Sequence, residues 1–393
     1  MLSPRFYQQL DALIRTPSVT CTQPALDQTN LAVIQWLASW FEDAGFACEE
    51  MPVAPGKANL LAVRAAHTGQ RSGGLVLSGH TDTVPCDPQL WHSDPFRLQQ
   101  RDDRLYGLGT ADMKSFFALV LEALQPFRHT PFRAPLVVVG TCDEETSMAG
   151  ARALVEQSRQ LGRFVLIGEP TSLKPARVHK GVMLEEVVIH GQSGHSSDPS
   201  LGRNALEAMS EVLQRLLAFR DELMLVRQPL FAVPYATMNL GCIHGGDNPN
   251  RICGQCRLQF DVRPLPGQSI AELRARIGER LAGVASRYGV TLDYHPATRG
   301  TPALETPADS PLVRQVEALT GQQAQTVAFG TEGPYFRQLG LDVVVLGAGN
   351  IEQAHQPDEY LELGKAATMV DYLRQLIDHY CVQGHDCPLP ASV

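Results

Sequence analysis

The sequence lacks several features that would place it in a specialised class of protein. No apolar run approaches the roughly 18–20 residues of a membrane-spanning helix, and no tract has low complexity. The start of the chain has no basic stretch followed by an apolar segment, the pattern of a secretion signal. No basic cluster accompanies the formal net charge of −9, which argues against nucleic acid as a partner. We therefore expect a cytoplasmic protein that binds neither nucleic acid nor a membrane.

Cysteine is too sparse and scattered for a disulfide-stabilised scaffold. The nine cysteines are an odd number in 393 residues, as expected in a reducing cytosol. Cys253 and Cys256 form a C-x-x-C pair, but the second pair that a zinc ribbon needs roughly 15–20 residues away is absent. The pair also lies in a predicted strand or its lead-in, where residues three apart face opposite ways. We interpret both as structural cysteines.

The chain is long enough for two hydrophobic cores, and its pattern changes in the middle. In the outer parts, continuous apolar strands alternate with amphipathic helices, which indicates an α/β domain whose mainly parallel sheet has helices on both faces. From about Met183 the order becomes β-α-β-β-α-β, which is typical of a ferredoxin-like α+β domain. We predict a domain of residues 1–181 and 297–393 into which residues 182–296 are inserted.

Polar residues follow four predicted strands of the larger domain. The strands and the residues after them are Leu75–Gly79 with His80 and Asp82, Leu136–Val139 with Asp143-Glu144-Glu145, Phe164–Ile167 with Glu169, and Val343–Leu346 with a glycine-rich loop to His355. Open α/β sheets place their sites beyond the carboxyl ends of strands. Burying so many carboxylates together would be prohibitive without cations, so this edge of the sheet is predicted to be a metal site.

A fifth segment, Gly109–Lys114, contains Asp112 and forms the loop that leads into the predicted helix Ser115–Leu124. Its Gly107-x-Gly109 pattern is not a nucleotide-binding loop, because the third glycine is missing, position 112 is acidic and no strand leads in. Imidazole and carboxylate ligands without thiolate suit zinc, cobalt or manganese. The excess of carboxylates favours two divalent ions over one.

Three motifs resemble the co-catalytic metallopeptidase family of aminoacylases and desuccinylases: Gly79–Pro85, Tyr106–Lys114 and Asp143–Glu145. The resemblance covers nearly the whole chain. Four further segments resemble the members that hydrolyse N-acetylornithine: Ile167–Pro175, His179–Gly181, Ser193–Pro199 and Ala354–Tyr360. The resemblance implies hydrolysis of N2-acetyl-L-ornithine to L-ornithine and acetate, a step of arginine biosynthesis. Succinyl-diaminopimelate desuccinylase or a broader aminoacylase remains the alternative.

The resemblance also implies a role for each site residue. His80 and Glu169 would hold one zinc ion, Glu145 and His355 would hold the other, and Asp112 would bridge them. Cobalt is expected to substitute for zinc. The carboxylate of Asp82 would orient the His80 imidazole, and Glu144 would be the general base. Asp82 and Glu144 could instead be simple neighbours of the ligands.

His195 lies in the predicted inserted domain, within Gly194-His195-Ser196-Ser197. In the family, this histidine reaches the active site of the partner subunit and stabilises the oxyanion, which implies a homodimer. The alternative is a structural role, in which His195 is a turn residue that caps the helix after Asp198-Pro199.

An acylated amino acid carries an α-carboxylate, which calls for cationic or amide side chains. The candidates for substrate binding are Lys180, Asn250, Arg251 and Arg263, together with Thr331 in the Gly330–Gly333 loop, which resembles the family loop near the substrate. Glu332 of that loop could meet a δ-ammonium group. Each charged candidate could equally be structural.

Overall fold

The computed structural model describes residues 2–387. Its α-helices are α1 (Pro4–Ile14), α2 (Leu31–Asp43), α3 (Ser115–Ala123), α4 (Ala149–Glu156), α5 (Ala205–Leu223), α6 (Ile270–Leu281), α7 (Val284–Tyr288), α8 (Pro311–Thr320), α9 (Gly333–Gln338) and α10 (Leu363–Ile377). Its strands are β1 (Ala47–Ala54), β2 (Lys57–Arg64), β3 (Leu75–His80), β4 (Gln99–Arg101), β5 (Arg104–Tyr106), β6 (Leu136–Thr141), β7 (Phe164–Ile167), β8 (Ala176–His179), β9 (Met183–His190), β10 (Thr237–Gly245), β11 (Gln255–Arg263), β12 (Thr291–Pro296), β13 (Leu304–Glu305), β14 (Gln325–Val327), β15 (Asp342–Val345) and β16 (Tyr360–Glu362). Short 3-10 turns lie at Pro88–Leu90, Gln125–Phe127 and Pro199–Leu201, and a π-helical turn lies at Asp378–Val382.

The chain forms two compact units. Among the described residues, the first consists of the chain up to Arg177, of Thr306–Gln325 and of the chain from Thr331 onwards, and the second of Val178–Glu305 and Thr326–Gly330. The sequence patterns predict these transitions after residue 181 and after residue 296. In the structure the chain returns to the first unit only after Glu305, later than predicted. The reason is β13, a strand of two residues at Leu304–Glu305 that pairs with the end of β8 and is too short to be recognised from its pattern.

The first unit is built on a sheet in the order β1-β2-β6-β3-β7-β15, continued by the beginning of β8. The four strands β6, β3, β7 and β15 are parallel, whereas β1, β2 and β8 join antiparallel at the edges. The mixed α/β class with a mostly parallel central sheet is therefore confirmed. Only the strands at the edges of this sheet are antiparallel. A second, three-stranded antiparallel sheet has the order β16-β5-β4.

Both faces of the central strands are buried. Leu75 and Leu77 of β3 belong to the core cluster that also contains the apolar sides of α1, α2, α3, α8 and α10. Val76 points the other way and is equally buried. Helices α4 and α9 contact each other and the strands β1 and β15. This double cover explains why β3, β6 and β7 read as continuous apolar runs.

The second unit has a four-stranded antiparallel sheet in the order β10-β11-β9-β12, crossed by α5, α6 and α7. In chain order this is β-α-β-β-α-β, and the strand order is that of a ferredoxin-like fold, so the inserted α+β architecture is confirmed. Its own core joins β9 and β11 to α5 through Val187, Leu258 and Leu216. The sequence pattern predicts a single helix from Ile270 to Ser286 here, but the structure has two, because Gly283 adopts a φ of +81° and α7 starts after it as a separate helix.

None of the helices within residues 2–387 combines the length and the hydropathy needed to cross a membrane.

Candidate metal centre

The strand register brings the predicted site residues of the first unit to one edge of its sheet. His80, the last residue of β3, lies opposite Thr141, the last residue of β6, and Ser78 lies opposite Ile167 at the end of β7. Because these strands are parallel, the residues that follow them emerge together. Three groups of side chains offer ligand atoms within 4.8 Å of one another: His80-Glu144-Glu145, His80-Asp112-Glu169 and Asp112-Glu145-His355.

Asp112 belongs to two of these groups and lies between the two histidines. Its Oδ1 is 2.9 Å from His80 Nε2, and its Oδ2 is 3.7 Å from His355 Nε2. Each oxygen therefore faces a different imidazole. A carboxylate in this position can contribute one oxygen to each of two adjacent cations.

The remaining ligand-type side chains complete the two groups. Glu169 Oε1 lies 3.9 Å from His80 Nε2, and Glu145 Oε1 lies 3.0 Å from His355 Nε2. Both groups consist of imidazole and carboxylate alone. The nearby thiol of Cys142 is fully buried, and burial raises its pKa, which disfavours the thiolate form that binds metals. The donors therefore fit zinc, cobalt or a similar divalent ion.

The tautomer of His80 suits metal binding. Its Nδ1 lies 2.9 Å from the main-chain carbonyl oxygen of Asp82, which can only accept, so Nδ1 must carry a proton and donate it. Nε2 is therefore the nitrogen that faces the carboxylates and is available to bind a cation.

The electrostatics of the site call for positive charge. Burial raises the pKa of Glu169 well above its ordinary value, and the neighbouring Asp112 raises it further. Burial and then Glu169 do the same to Glu144. Burial opposes protonation of His80, yet the hydrogen bond to Asp112 and its charge outweigh burial, so that the pKa of His80 is raised well above its ordinary value. These acids resist ionising together, and divalent cations would remove that resistance.

Asp82 differs in detail from the sequence-based expectation. Its carboxylate does not hold the His80 ring, since Oδ1 is 3.9 Å from Nδ1 and it is the main-chain carbonyl of Asp82 that accepts from the ring. The carboxylate instead accepts from the backbone N–H groups of Glu144 at 3.3 Å and Glu145 at 3.2 Å. Asp82 therefore fixes His80 through its backbone and fixes the Glu144-Glu145 turn through its side chain. Burial raises the pKa of Asp82 to about 6.

Two buried charged residues of this region were not singled out by sequence reasoning. Glu359 accepts hydrogen bonds from the backbone of the Asp112 loop, and burial raises its pKa to about 8 although those N–H groups favour its ionised form. Lys114 donates to the carbonyl oxygens of Leu13 and Thr16, and burial lowers its pKa to about 7. Both lie inside the quoted motifs, but no sequence signal distinguishes a buried charge from an exposed one at those positions.

Thr331 and Glu332 are buried in the first unit. Thr331 Oγ1 accepts from the backbone N–H of Gly333 at 3.1 Å, at the start of α9. Glu332 Oε2 accepts from the Thr141 hydroxyl at 2.8 Å, while its Oε1 has no hydrogen-bond partner among the described residues. Burial raises the pKa of Glu332 to about 7.

The other predicted site residues belong to the second unit, and three of them lie together. The backbones of His195 and Arg251 form an isolated β-bridge, and Ser196 N–H donates to the Asn250 carbonyl at 3.1 Å. The backbone N–H of Ser197 donates to His195 Nδ1 at 3.2 Å, so Nδ1 accepts and Nε2 carries the ring proton. His195 is exposed and presents a hydrogen-bond donor.

The cationic candidates of the second unit have partners within it. Arg251 pairs with Asp247 at 2.5 Å and Arg263 with Asp261 at 2.9 Å. Lys180 Nζ donates to the Tyr235 carbonyl at 2.6 Å. Each of these three cations therefore has a structural partner, and its role in substrate binding stays a prediction.

Comparison with known proteins places the chain among metal-dependent hydrolases. The sequence model of a family described as peptidase family M20/M25/M40 matches residues 76–379. An acetylornithine deacetylase from Klebsiella pneumoniae (strain 342) is 47% identical over 384 residues, which are 96% of this chain and 98% of that protein.

Solved structures share the fold at low sequence identity. The aminopeptidase PepT from Bacillus cereus ATCC 10987 matches with a TM-score of 0.76 and 18% identity, covering 96% of this chain and 98% of that chain. The YXEP protein of Bacillus subtilis, described as a dinuclear metal binding peptidase, matches with a TM-score of 0.63 and 15% identity over 95% of this chain and 96% of that chain. At these identities the likeness concerns the fold alone.

Proposed function

The chain belongs to peptidase family M20/M25/M40, and we propose that it hydrolyses the amide bond of N2-acetyl-L-ornithine to L-ornithine and acetate. The relative that is 47% identical over 96% of the chain supports this substrate. The structural observation that carries the hydrolytic chemistry is the position of Asp112, with one carboxylate oxygen towards His80 and the other towards His355.

The donor set fits two divalent cations per chain, zinc in the first place and cobalt as a substitute. His80 and Glu169 would hold one ion, Glu145 and His355 the other, and Asp112 would bridge them. When bound, such ions polarise the acyl carbonyl and lower the pKa of water. All five side chains belong to one unit, so its fold alone brings them together.

Glu144 is the general base of this proposal. It is buried beside His80 and Glu145, within reach of the proposed ligands, where a carboxylate can accept a proton and then give it up. Glu144 takes the proton of the attacking water as the oxygen bonds to the acetyl carbon. It then delivers that proton to the nitrogen as the C–N bond breaks, so that the α-nitrogen of ornithine leaves as a neutral amine. The other proton of the water stays on the acetic acid that forms and is lost as the acid ionises to acetate. Asp82 holds this turn in place through the N–H groups of Glu144 and Glu145.

His195 supplies the oxyanion donor of this proposal. Its Nε2–H is directed by the hydrogen bond that Nδ1 accepts from Ser197, which fixes the ring tautomer. A hydrogen bond from Nε2 to the carbonyl oxygen strengthens as negative charge develops there. The second unit holds none of the proposed metal ligands, and we assign its His195 to the active site of a partner subunit.

The homodimer that this assignment needs is supported by one edge of β10, which pairs with no strand among residues 2–387. This strand is the outer strand of the sheet of the second unit, and residues 241–250 are all exposed. Ile243 is 47% exposed and Leu206, near the end of the same strand, is 43% exposed. A long exposed edge with apolar side chains is a template for pairing, and a second copy of the chain can pair with it about a two-fold axis.

The substrate carboxylate needs a cationic or amide partner, for which we retain Lys180, Asn250, Arg251 and Arg263, with Thr331 in the loop before α9. Arg251 and Asn250 have the stronger structural support, because their segment pairs with the backbone at His195 and Ser196. A carboxylate ligand could compete with Asp247 for the guanidinium of Arg251. We assign the reaction to arginine biosynthesis in the cytoplasm, where the nine free cysteines would stay reduced.

A hydrolysis panel tests the proposed substrate. The zinc-loaded protein is assayed with N-acetylornithine, N-succinyl-diaminopimelate, N-acetylmethionine and a dipeptide, and Glu144→Gln serves as the control that the activity comes from this site. We expect the highest kcat/KM for N-acetylornithine. A higher value for the succinylated substrate would identify a desuccinylase, and similar values for the acetylated substrates would identify a general aminoacylase.

A further inference from the structure

Glu359 is a buried carboxylate, 1% exposed, that directly precedes β16 and lies four residues beyond His355. Its Oε1 accepts from three backbone N–H groups: those of Gly109 at 3.1 Å, Ala111 at 2.7 Å and Asp112 at 3.0 Å. Its Oε2 accepts from Gly109 N–H at 3.1 Å. Hydrogen bonds from backbone N–H groups to a carboxylate are among the stronger ones in proteins.

The main chain of Glu359 contacts the same loop. Its carbonyl oxygen accepts from Gly107 N–H at 3.1 Å and from the Thr110 hydroxyl at 3.3 Å. The adjacent residues Tyr360 and Tyr106 pair in the β16–β5 ladder, so these bonds continue that ladder into the loop. Residues 107–112 therefore wrap around Glu359.

The loop can take this course because Gly109 has a φ of +88°. A side chain there would also approach Lys114 and Thr83, since a Cβ would lie 3.1–3.2 Å from their side-chain carbons. The backbone can then turn its N–H groups inwards onto one acceptor.

The consequence for Asp112 is geometric. Its own N–H and that of Ala111 both bind Glu359, so the peptide units on either side of Ala111 are fixed. This sets the direction in which the Asp112 side chain leaves the backbone. Oε1 accepts these bonds whether or not Oε2 carries a proton, so the restraint does not depend on the ionisation of Glu359.

Glu359 also joins two segments that carry ligand-type side chains. It follows His355 in the chain and binds the loop that carries Asp112, whose Oδ2 lies 3.7 Å from His355 Nε2.

From these contacts we infer that Glu359 is a positioning residue for the metal centre, which holds Asp112 in its bridging place between His80 and His355. The inference rests on the metal-binding role proposed for Asp112. Glu359 then affects the affinity of the site for metal without contacting the substrate.

The test is equilibrium binding of Zn²⁺ to Glu359→Gln, Glu359→Ala and wild type in the full-length protein, by competition with a chelator and without substrate. Gln keeps one oxygen acceptor and Ala keeps none, so both variants should bind zinc more weakly, by about 10–100-fold, with the larger loss for Ala. Glu362→Gln is the matched control, because Glu362 ends β16, the strand that Glu359 precedes, but its carboxylate contacts Lys365. It should bind zinc as wild type does.

A thermodynamic cycle separates positioning from a general loss of structure. In an Asp112→Asn background the bridging carboxylate is already lost, so Glu359→Gln should weaken zinc binding far less than it does in wild type. Excess zinc should restore kcat in Glu359→Gln and leave KM unchanged. Wild-type zinc affinity in a folded Glu359→Gln, or the same fold-loss in both backgrounds, would overturn the inference. A wild type that never binds more than one ion would instead overturn the proposed two-metal centre.

Discussion

Glu145 Oε1 lies 3.0 Å from His355 Nε2, although 210 positions separate the two residues in the chain. Glu145 is held by the bond from its backbone N–H to Asp82, and His355 has a φ of +60° in the loop after β15. Neither segment forms this pair without the folded sheet between them. A metal that binds here therefore stabilises the folded first unit, and its affinity reports on that fold.

The adjacent acids Glu144 and Glu145 should respond differently to the same substitution. Glu144→Gln removes the proposed base and should lower kcat by about 10²–10⁴-fold while zinc content stays at the wild-type level. Glu145→Gln removes a ligand and should lower zinc affinity, measured by competition with a chelator. Each variant is the control of the other, since the two residues share a turn. Near wild-type kcat in Glu144→Gln would reject its assignment as the base.

His195 should act across a subunit interface. His195→Ala should lower kcat by about 10²–10³-fold without loss of zinc, because an oxyanion donor is removed. Mixing His195→Ala chains with Glu144→Gln chains under conditions of subunit exchange should restore activity, since one site of each heterodimer then has both residues intact.

The control for this experiment is each variant exchanged with itself, which should stay inactive. Exchange is verified by mass spectrometry of differently labelled chains. Verified heterodimers without recovered activity would show that His195 does not act on the partner's site.

His179 should make the protein less stable in mild acid. It is fully buried, its Nδ1–H donates to the Lys180 carbonyl, and burial lowers its pKa from 6.5 to about 4. Between these values the unfolded chain binds the proton and the folded chain does not. Stability is therefore full above pH 6.5 and falls as the pH drops towards 4, by up to about 2 kcal/mol between pH 6.5 and 5.

Denaturant unfolding of wild type and His179→Gln at several pH values measures this loss, and the difference between the two proteins isolates the histidine. Gln can still donate to the Lys180 carbonyl but does not titrate, so its unfolding should depend less on pH. His129→Gln, at an exposed histidine, is the control. Parallel pH curves for wild type and His179→Gln would contradict the assignment.

The strands that position the site could be predicted because their burial is local and continuous. Phe164–Ile167 is β7 to the residue, and Leu75 begins β3 as expected. The strand β1 escaped prediction because it is an edge strand with mostly exposed residues, among them Glu49 and Glu50. Its place depends on the partner β2, which single-strand periodicity does not reveal.

Within the site, residue types could be predicted but several contacts could not. A carboxylate two residues after His80 is visible in the sequence, yet its bonds to the Glu144-Glu145 turn depend on how β3 and β6 end side by side. The same holds for Glu359, whose partners lie about 250 positions away. Such contacts arise from tertiary structure and leave no local pattern.

The most direct test of the account is a zinc titration of the metal-stripped wild-type chain, with bound metal and the rate of N-acetylornithine hydrolysis followed in the same samples. Because Asp112 presents one oxygen to each histidine, tight binding should continue to two ions per chain. Activity should be absent from the stripped protein and should appear as zinc binds. Full activity in a protein whose zinc content never exceeds one ion per chain would contradict the two-metal centre.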